Sequence, residues 1–331
     1  MAVTQLSNLV IAPEVFAEQI VLNSLTLNAF IQSGVAIRDQ MLDDFLTSKI
    51  GGYLISPRYL GPLPEDDANI SSDDPTSQST PVALAGMKNT AVRHALNNSW
   101  SSMDLVFELN GADPLAGIQS KIAWYWMVQQ QRRILASLQG IIANNIASDS
   151  SDMVNDISGL SGTSNLFNGH AFIDTQSTMG DRQTELTALC VHSLVYGTMR
   201  KNDLITFRPD SEGKWTIPMY MGIDVVVDDK TTVVAGSPTK YYTYLFGPGA
   251  VAMGVGTPKV PFEIWRTPMG GNGGGQETIF SRVDYILHPQ GFEYTLGEGP
   301  SPSVATLAQA ATWSRSWERK RVMLACLISR G

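Results

Sequence analysis

The sequence predicts an α+β fold, and three features of its 331 residues carry that expectation. A single helical repeat of apolar side chains occupies residues 113–144, with no proline after its first turn. Beyond Asn202 the pattern changes to short β-branched and aromatic runs closed by Pro, Gly or Asp, as strands are. Helical and extended stretches do not alternate regularly, which argues against a doubly wound parallel sheet.

Taken in order, residues 3–50 set Phe16, Ile20, Leu27 and Ile31 at loose helical spacing among Asn23, Ser24, Thr26 and Asn28, and read as an arm more than as core. The next stretch, GGYLISPRYLGPLPEDDANISSDDPTSQSTP, is broken by Pro and Gly and carries clustered Asp and Ser. Short alternation follows at Val82 and Leu84 and at Thr90, Val92 and His94, so 51–110 reads as a long excursion with β-ribbon character. Loops beyond ~15 residues are uncommon in compact domains unless they have a function or act as linkers.

Asp113-Pro114 is a strong helix start, because Asp accepts from free backbone amides and Pro at the first helical position loses no needed bond. Ile118, Ile122, Tyr125, Trp126, Ile134, Leu135, Leu138, Ile141 and Ile142 then recur at three-to-four spacing, interrupted by a polar run at 129–133. Such a helix spans roughly 45 Å and would act as a spine. After a polar break, Thr184 is expected to open a second helix to about residue 201, holding Leu186, Leu189, Cys190, Val191, Leu194, Val195 and Met199. Strands are expected at 204–207, 216–227 and 241–246, a long hairpin at 262–266 and 277–287 around TPMGGNGGGQ, and a final buried strand at 322–329.

Composition narrows the function. The formal charge is 23 − 31 = −8 with no basic block, which is no footprint for sequence-specific nucleic-acid binding. Only 16% of residues are charged, against the usual ~25%, as expected of a surface largely covered by neighbours. Cys190 and Cys326 make no disulfide framework and read as buried free thiols of a reducing compartment. No signal peptide and no apolar run of ~20 residues is visible, so a soluble, non-secreted protein without a membrane contact is expected.

No reaction centre stands out. His94, His170, His192 and His288 are scattered, without HxxxH or HExxH spacing, so no metal is expected. Cys190 and His192 would lie on different faces of the expected helix, and no G-x-S-x-G elbow occurs. The glycines at 270–275 precede a strand and not a helix, which makes them a flexible hairpin tip and not a phosphate cradle. Asp66, Asp67, Asp73 and Asp74 lack the calcium-loop pattern, and Trp124-Tyr125-Trp126 suits packing on several helix faces. Neither a catalytic residue nor a cofactor is expected.

Several strings resemble the major capsid proteins of tailed bacteriophages with the Hong Kong 97-type fold. They are SWSSMDLVFELNGADPLAGIQSKIAWYWMVQQQRRILASLQGI from Trp100, TELTALCVHSLVYGTMRKNDLI from Thr184, IPMYMGIDVVVDD, YYTYLFGPGAVAMG, HPQGF and the closing ATWSRSWERKRVMLACLISRG. Together they cover most of the chain in the family's order. The resemblance implies an N-terminal arm at 1–50 and an extended loop at 51–111. It implies a peripheral domain with the spine helix at 112–183, returning at 257–287, an axial domain at 184–256, and a C-terminal segment at 288–331 packing on the axial domain. It implies self-assembly into hexamers and pentamers of an icosahedral virion capsid, formed in the bacterial host cytoplasm around double-stranded DNA, with portal, scaffolding and decoration proteins as further partners. Lys88, Arg93 and Trp100 are the expected inter-subunit contacts, and Arg93→Glu is expected to impair assembly while the subunit still folds. Some family members join subunits by a Lys–Asn isopeptide bond; nothing in the sequence sets an Asn and an acid beside Lys88, which reads as an ordinary surface lysine. Two alternatives remain, an encapsulin-type compartment shell and a soluble hydrolase with a triad built across distant segments.

Overall fold

The computed structural model describes residues 33–48, 52–61, 63, 67–71, 73–76, 78, 79, 81, 83, 86–110, 114–202, 204–209 and 216–331. Of the arm expected at 1–50 only residues 33–48 are therefore described, and Asp66, Val82, Leu84 and Asp113 lie outside the described residues.

The spine helix runs Pro114–Ser148, 35 residues. Its end is stapled by Asn145, which is buried. Asn145 Nδ2 donates to Asp152 at 2.7 Å, Asn145 Oδ1 accepts from the Met153 amide, and Ser150 and Ser151 adopt left-handed backbone between them. Within the polar run of the helix Gln131 donates to Asp228, and Arg133 donates to the Pro302 carbonyl at 2.7 Å.

Two sheets pack around this helix. The first has the order Ala36–Arg38, Val251–Gly256, Gln276–Pro289, Ala91–Met103 and Leu54–Ile55, with Phe262–Thr267 pairing Gln276–Pro289 further along. Its centre is the long antiparallel ladder that joins Met103 to Gln276 at one end and Arg93 to Ile286 at the other. The second sheet has eight strands in the order Val154–Asp156, Leu324–Ser329, Lys240–Phe246, Ala188–Val191, Ile223–Val227, Thr216–Tyr220 and Thr206–Pro209, with Val233–Val234 beside Lys240–Phe246. Side-chain alternation divides its two faces. Cys190, Tyr244 and Cys326 lie side by side towards Leu138, Ile141 and Ile142 of the spine helix. Leu189, Leu245 and Ala325 turn the other way onto Phe167, Phe172, Val195 and Met199.

The expected helix at 184–201 is corrected by the structure. Residues Ala188–Val191 form a strand parallel to Ile223–Val227, and the helix is only Ser193–Lys201. All four strand residues are buried, so the segment has no polar face from which a period can be read. His192 separates the two elements, its Nδ1 accepting from the Leu194 amide as the helix cap. The expected strand at 216–227 is a hairpin, turned at Met221 and Gly222 with φ of 49° and 85°. The hairpin expected at 262–266 and 277–287 forms between Phe262–Thr267 and Gln276–Pro289, the final strand expected at 322–329 is Leu324–Ser329, and the described residues of the excursion expected at 51–110 include the strands Leu54–Ile55, Arg58–Leu60, Gly86–Lys88 and Ala91–Met103.

Candidate assembly surface

The three residues singled out from sequence take different places. Lys88 ends the strand Gly86–Lys88, which pairs with Arg58–Leu60 at the neck of the excursion, opposite Arg58. Its side chain is exposed and has no ion-pair partner among the described residues. Arg93 is committed within its own subunit: its guanidinium forks onto Asp284, with Nε to Oδ1 at 2.8 Å and Nη2 to Oδ2. Its amide donates to the Tyr53 carbonyl and its carbonyl accepts from Ser301. Trp100 packs edge-on against Tyr125 of the spine helix, with centroids 5.2 Å apart. Tyr125 in turn meets Trp126, whose indole N–H donates to Ser281 at 2.9 Å. The aromatic triplet thus ties ribbon, helix and hairpin together.

Two buried histidines give the fold a pH dependence. His94 Nδ1 lies 3.1 Å from Arg133 Nη1; burial, and then the Arg133 charge, hold the His94 ring down at about 3. Burial alone lowers His288 to about 4. Unfolded histidines titrate near 6.5, so below that pH the unfolded chain binds protons that the folded one refuses. Subunit stability should therefore be complete above about pH 6.5 and fall as pH drops towards 4, by up to ~1.4 kcal/mol per pH unit for each ring. Urea melts at pH 7 and pH 5 test this. His288→Leu should flatten the slope by about half, and wild-type stability equal at both pH values would refute the assignment.

At the far end of the long ladder the hairpin tip is closed by charge. Arg266 donates to Asp104 at 2.6 Å and to Glu277 at 2.7 Å. The glycine run is a stitched turn and not a loose one. Gly275 donates to the Gly270 carbonyl, and the Asp104 amide donates to the Gly275 carbonyl. Gly275 has φ of +89°, and a Cβ there would meet Asp104 Oδ2 at 2.2 Å, so glycine is required. A 320 Å³ cleft opens between this clamp and the short helix Asp104–Asn110.

Sequence reasoning missed a group of exposed apolar side chains. Phe262, Ile264 and Trp265 of the edge strand, Met269 at the tip, and Leu105, Phe107 and Leu109 of the short helix are all exposed. Their apolar spacing is what a half-buried strand and an amphipathic helix would show, and only the tertiary placement reveals that they are exposed among the described residues.

Among the described residues no three His, Cys, Asp or Glu side chains are grouped to hold a metal. Burial pushes the Cys190 thiol well up, away from a nucleophilic thiolate. Both ring nitrogens of His288 lack a partner among the described residues, so no nucleophile stands beside it.

A family model described as Gp13-like, major capsid protein 13-like, matches residues 114–323. The major capsid protein of Bacillus phage SPP1 is 33% identical over 328 residues, 98% of this chain and 97% of that protein. The chain belongs to the Gp13-like major capsid protein family. It is a structural component of a phage virion capsid and not an enzyme. Among solved structures, the capsid of Ralstonia phage GP4 matches this capsid protein with TM-score 0.55 and 9% identity, over 90% of this chain and 87% of that one. A Mycobacterium phage Patience structure matches with TM-score 0.52 and 10% identity, over 93% and 96%. These likenesses give the capsid protein the Hong Kong 97-type fold. Nothing in these relatives supports the compartment-shell or hydrolase alternatives.

Proposed function

We propose that this capsid protein is the repeating subunit of an icosahedral head, assembled as hexamers and pentamers in the bacterial host cytoplasm and enclosing double-stranded DNA without sequence-specific contact. The observation that carries the reading is the whole-length relation to a major capsid protein. The acidic balance of −8 suits a shell that contains DNA without adhering to it. In this reading residues 1–50 are the arm, 51–111 the extended loop, and 112–183 with 257–287 the peripheral domain. Residues 184–256 are the axial domain, on which 288–331 pack. Portal, scaffolding and decoration proteins are its further partners.

Lys88 is the contact residue in this scheme, because it is exposed without an ion-pair partner among the described residues while Arg93 and Trp100 have partners in their own subunit. Lys88→Glu is expected to lower the yield of shells severalfold while the melting of the free subunit changes by no more than ~0.5 kcal/mol. Negative-stain electron microscopy of the chain expressed alone and with its neighbouring head genes reads both the reading and the variant. A uniform small particle under both conditions would refute the shell.

A further inference from the structure

Asn-Gly pairs occur in the sequence at 110–111, 168–169 and 272–273. Such a pair is chemically distinct, because glycine sets no Cβ beside the backbone nitrogen that follows the asparagine, and that nitrogen can reach the side-chain carbonyl. Whether it does is decided by the fold. Gly111 lies outside the described residues, and the other two pairs have opposite settings.

Asn168 is locked. It caps the helix Gly169–Ser177, its Oδ1 accepting from the Ala171 amide at 2.9 Å while its Nδ2 donates to the Leu166 carbonyl at 3.0 Å. Gly169 opens that helix, and a Cβ there would meet the Tyr220 hydroxyl at 3.2 Å. Ring closure at this pair has to break the cap and the first helical turn.

Asn272 has none of these restraints. The Gly274 amide donates to the Gly271 carbonyl at 3.2 Å, so Asn272 and Gly273 are the central residues of a tight turn, with φ of 56° and 92°. This is the primed turn that Asn-Gly favours. Residues 271–274 are all exposed, and nothing lies within 4 Å of a Cβ placed at Gly273. Among the described residues no hydrogen bond holds the Gly273 amide or the Asn272 side chain. The bonds that close the tip, from Gly275 to Gly270 and from Asp104 to Gly275, lie outside the pair.

We infer that Asn272 is a site of spontaneous deamidation, a covalent modification that needs only water and does not depend on the capsid reading. The Gly273 nitrogen bonds to Asn272 Cγ, the Cγ–Nδ2 bond breaks, and ammonia leaves with the proton that the Gly273 amide gives up. Water then opens the cyclic imide, its oxygen entering the new carboxylate. Attack at Cγ yields aspartate, and attack at the backbone carbonyl carbon yields isoaspartate, in which the chain runs through Cγ and gains a methylene. Either product adds one negative charge to the formal −8, at a tip where Asp104 and Glu277 already share Arg266. Isoaspartate also lengthens the backbone inside the turn at 271–274.

The purified full chain is aged in heavy-oxygen water at pH 6 and pH 8, and its peptides are mapped by mass spectrometry. The Asn272 peptide should take up the heavy oxygen at least about tenfold faster than the Asn168 peptide, because the helix cap has to open first. Its conversion should be faster at pH 8, where hydroxide removes the amide proton more often, and electron-transfer fragmentation should find both aspartate and isoaspartate. In urea the two peptides should convert at similar rates, which assigns the difference to the fold. Asn272→Gly keeps the positive φ and removes the attacked carbonyl, so that variant should melt as the wild type does and show no conversion at the tip. Equal rates at Asn168 and Asn272 in the folded chain, or an Asn272 that converts in urea and stays unchanged in the folded chain, would overturn the inference and leave the capsid reading intact.

Discussion

Gly140→Ala is expected to destabilise the free subunit by about 2 kcal/mol or more, although alanine is the better helix former. Propensity alone favours alanine by ~1 kcal/mol at a helix interior. At residue 140, however, a Cβ would lie 2.2 Å from the Leu307 carbonyl oxygen and 2.8 Å from the Trp313 ring. The first of these is backbone, so no rotamer change relieves it. The crossing segment is also pinned: Trp313 Nε1 donates to that same carbonyl at 2.9 Å, and Thr312 Oγ1 donates to the Thr306 carbonyl at 2.6 Å. Overpacking of this kind costs ~1–3 kcal/mol and more where the surroundings cannot shift, so the steric term exceeds the propensity gain. Gly117, in the same helix, has nothing within 4 Å of its added Cβ, and Gly117→Ala should stabilise by up to ~1 kcal/mol. Urea melts of the two variants read opposite signs from one substitution. Equal stabilities would refute the close crossing at Gly140.

Arg93→Ala should cost about 3 kcal/mol of subunit stability, and Arg93→Glu more, because a second carboxylate would then face Asp284. Asp284 is only 5% exposed and Arg93 is its side-chain partner, so deleting the guanidinium leaves a buried charge with no access to water. The reverse deletion should be milder. Arg93 is 26% exposed and can turn its fork into solvent once Asp284 is replaced by Asn. This replaces the sequence-based expectation that Arg93→Glu spares folding. Chemical melts of Arg93→Ala and Asp284→Asn check the asymmetry. An Arg93→Ala subunit that melts normally yet makes no shells would return Arg93 to the interface.

What could be read from the sequence follows from where period and chemistry are local. The spine helix was legible because apolar residues recur at three-to-four spacing from Ile118 to Ile142 with no proline after the first turn, and within its polar interruption at 129–133 Gln131 and Arg133 reach across the fold. The strand Ala188–Val191 was not, because a segment buried on both faces carries no alternation, and the helix-forming residues after His192 drew it into their own period. The hairpin at 216–227 hid its turn because Met221-Gly222 lacks the Asn-Gly signature that usually announces two residues of positive φ. Of the surface, Lys88 was legible as an exposed loop cation, whereas Arg93 could not be distinguished from it without Asp284, which lies 191 residues away. The exposure of Trp265 is invisible to any pattern, since burial is decided by a neighbour and not by the strand itself.

The central ladder of the first sheet also sets a timetable. Met103 leaves the ribosome 173 residues before Gln276, the partner it faces. At ~5–20 residues per second of synthesis, the ribbon strand spends roughly 10–35 seconds as a nascent chain with its pairing groups open and no counterpart yet made. A cell translating many copies at once therefore holds a standing pool of unpaired ribbons, and cellular chaperones that shield extended segments should set the yield of competent subunits more strongly than the final stability of the fold does.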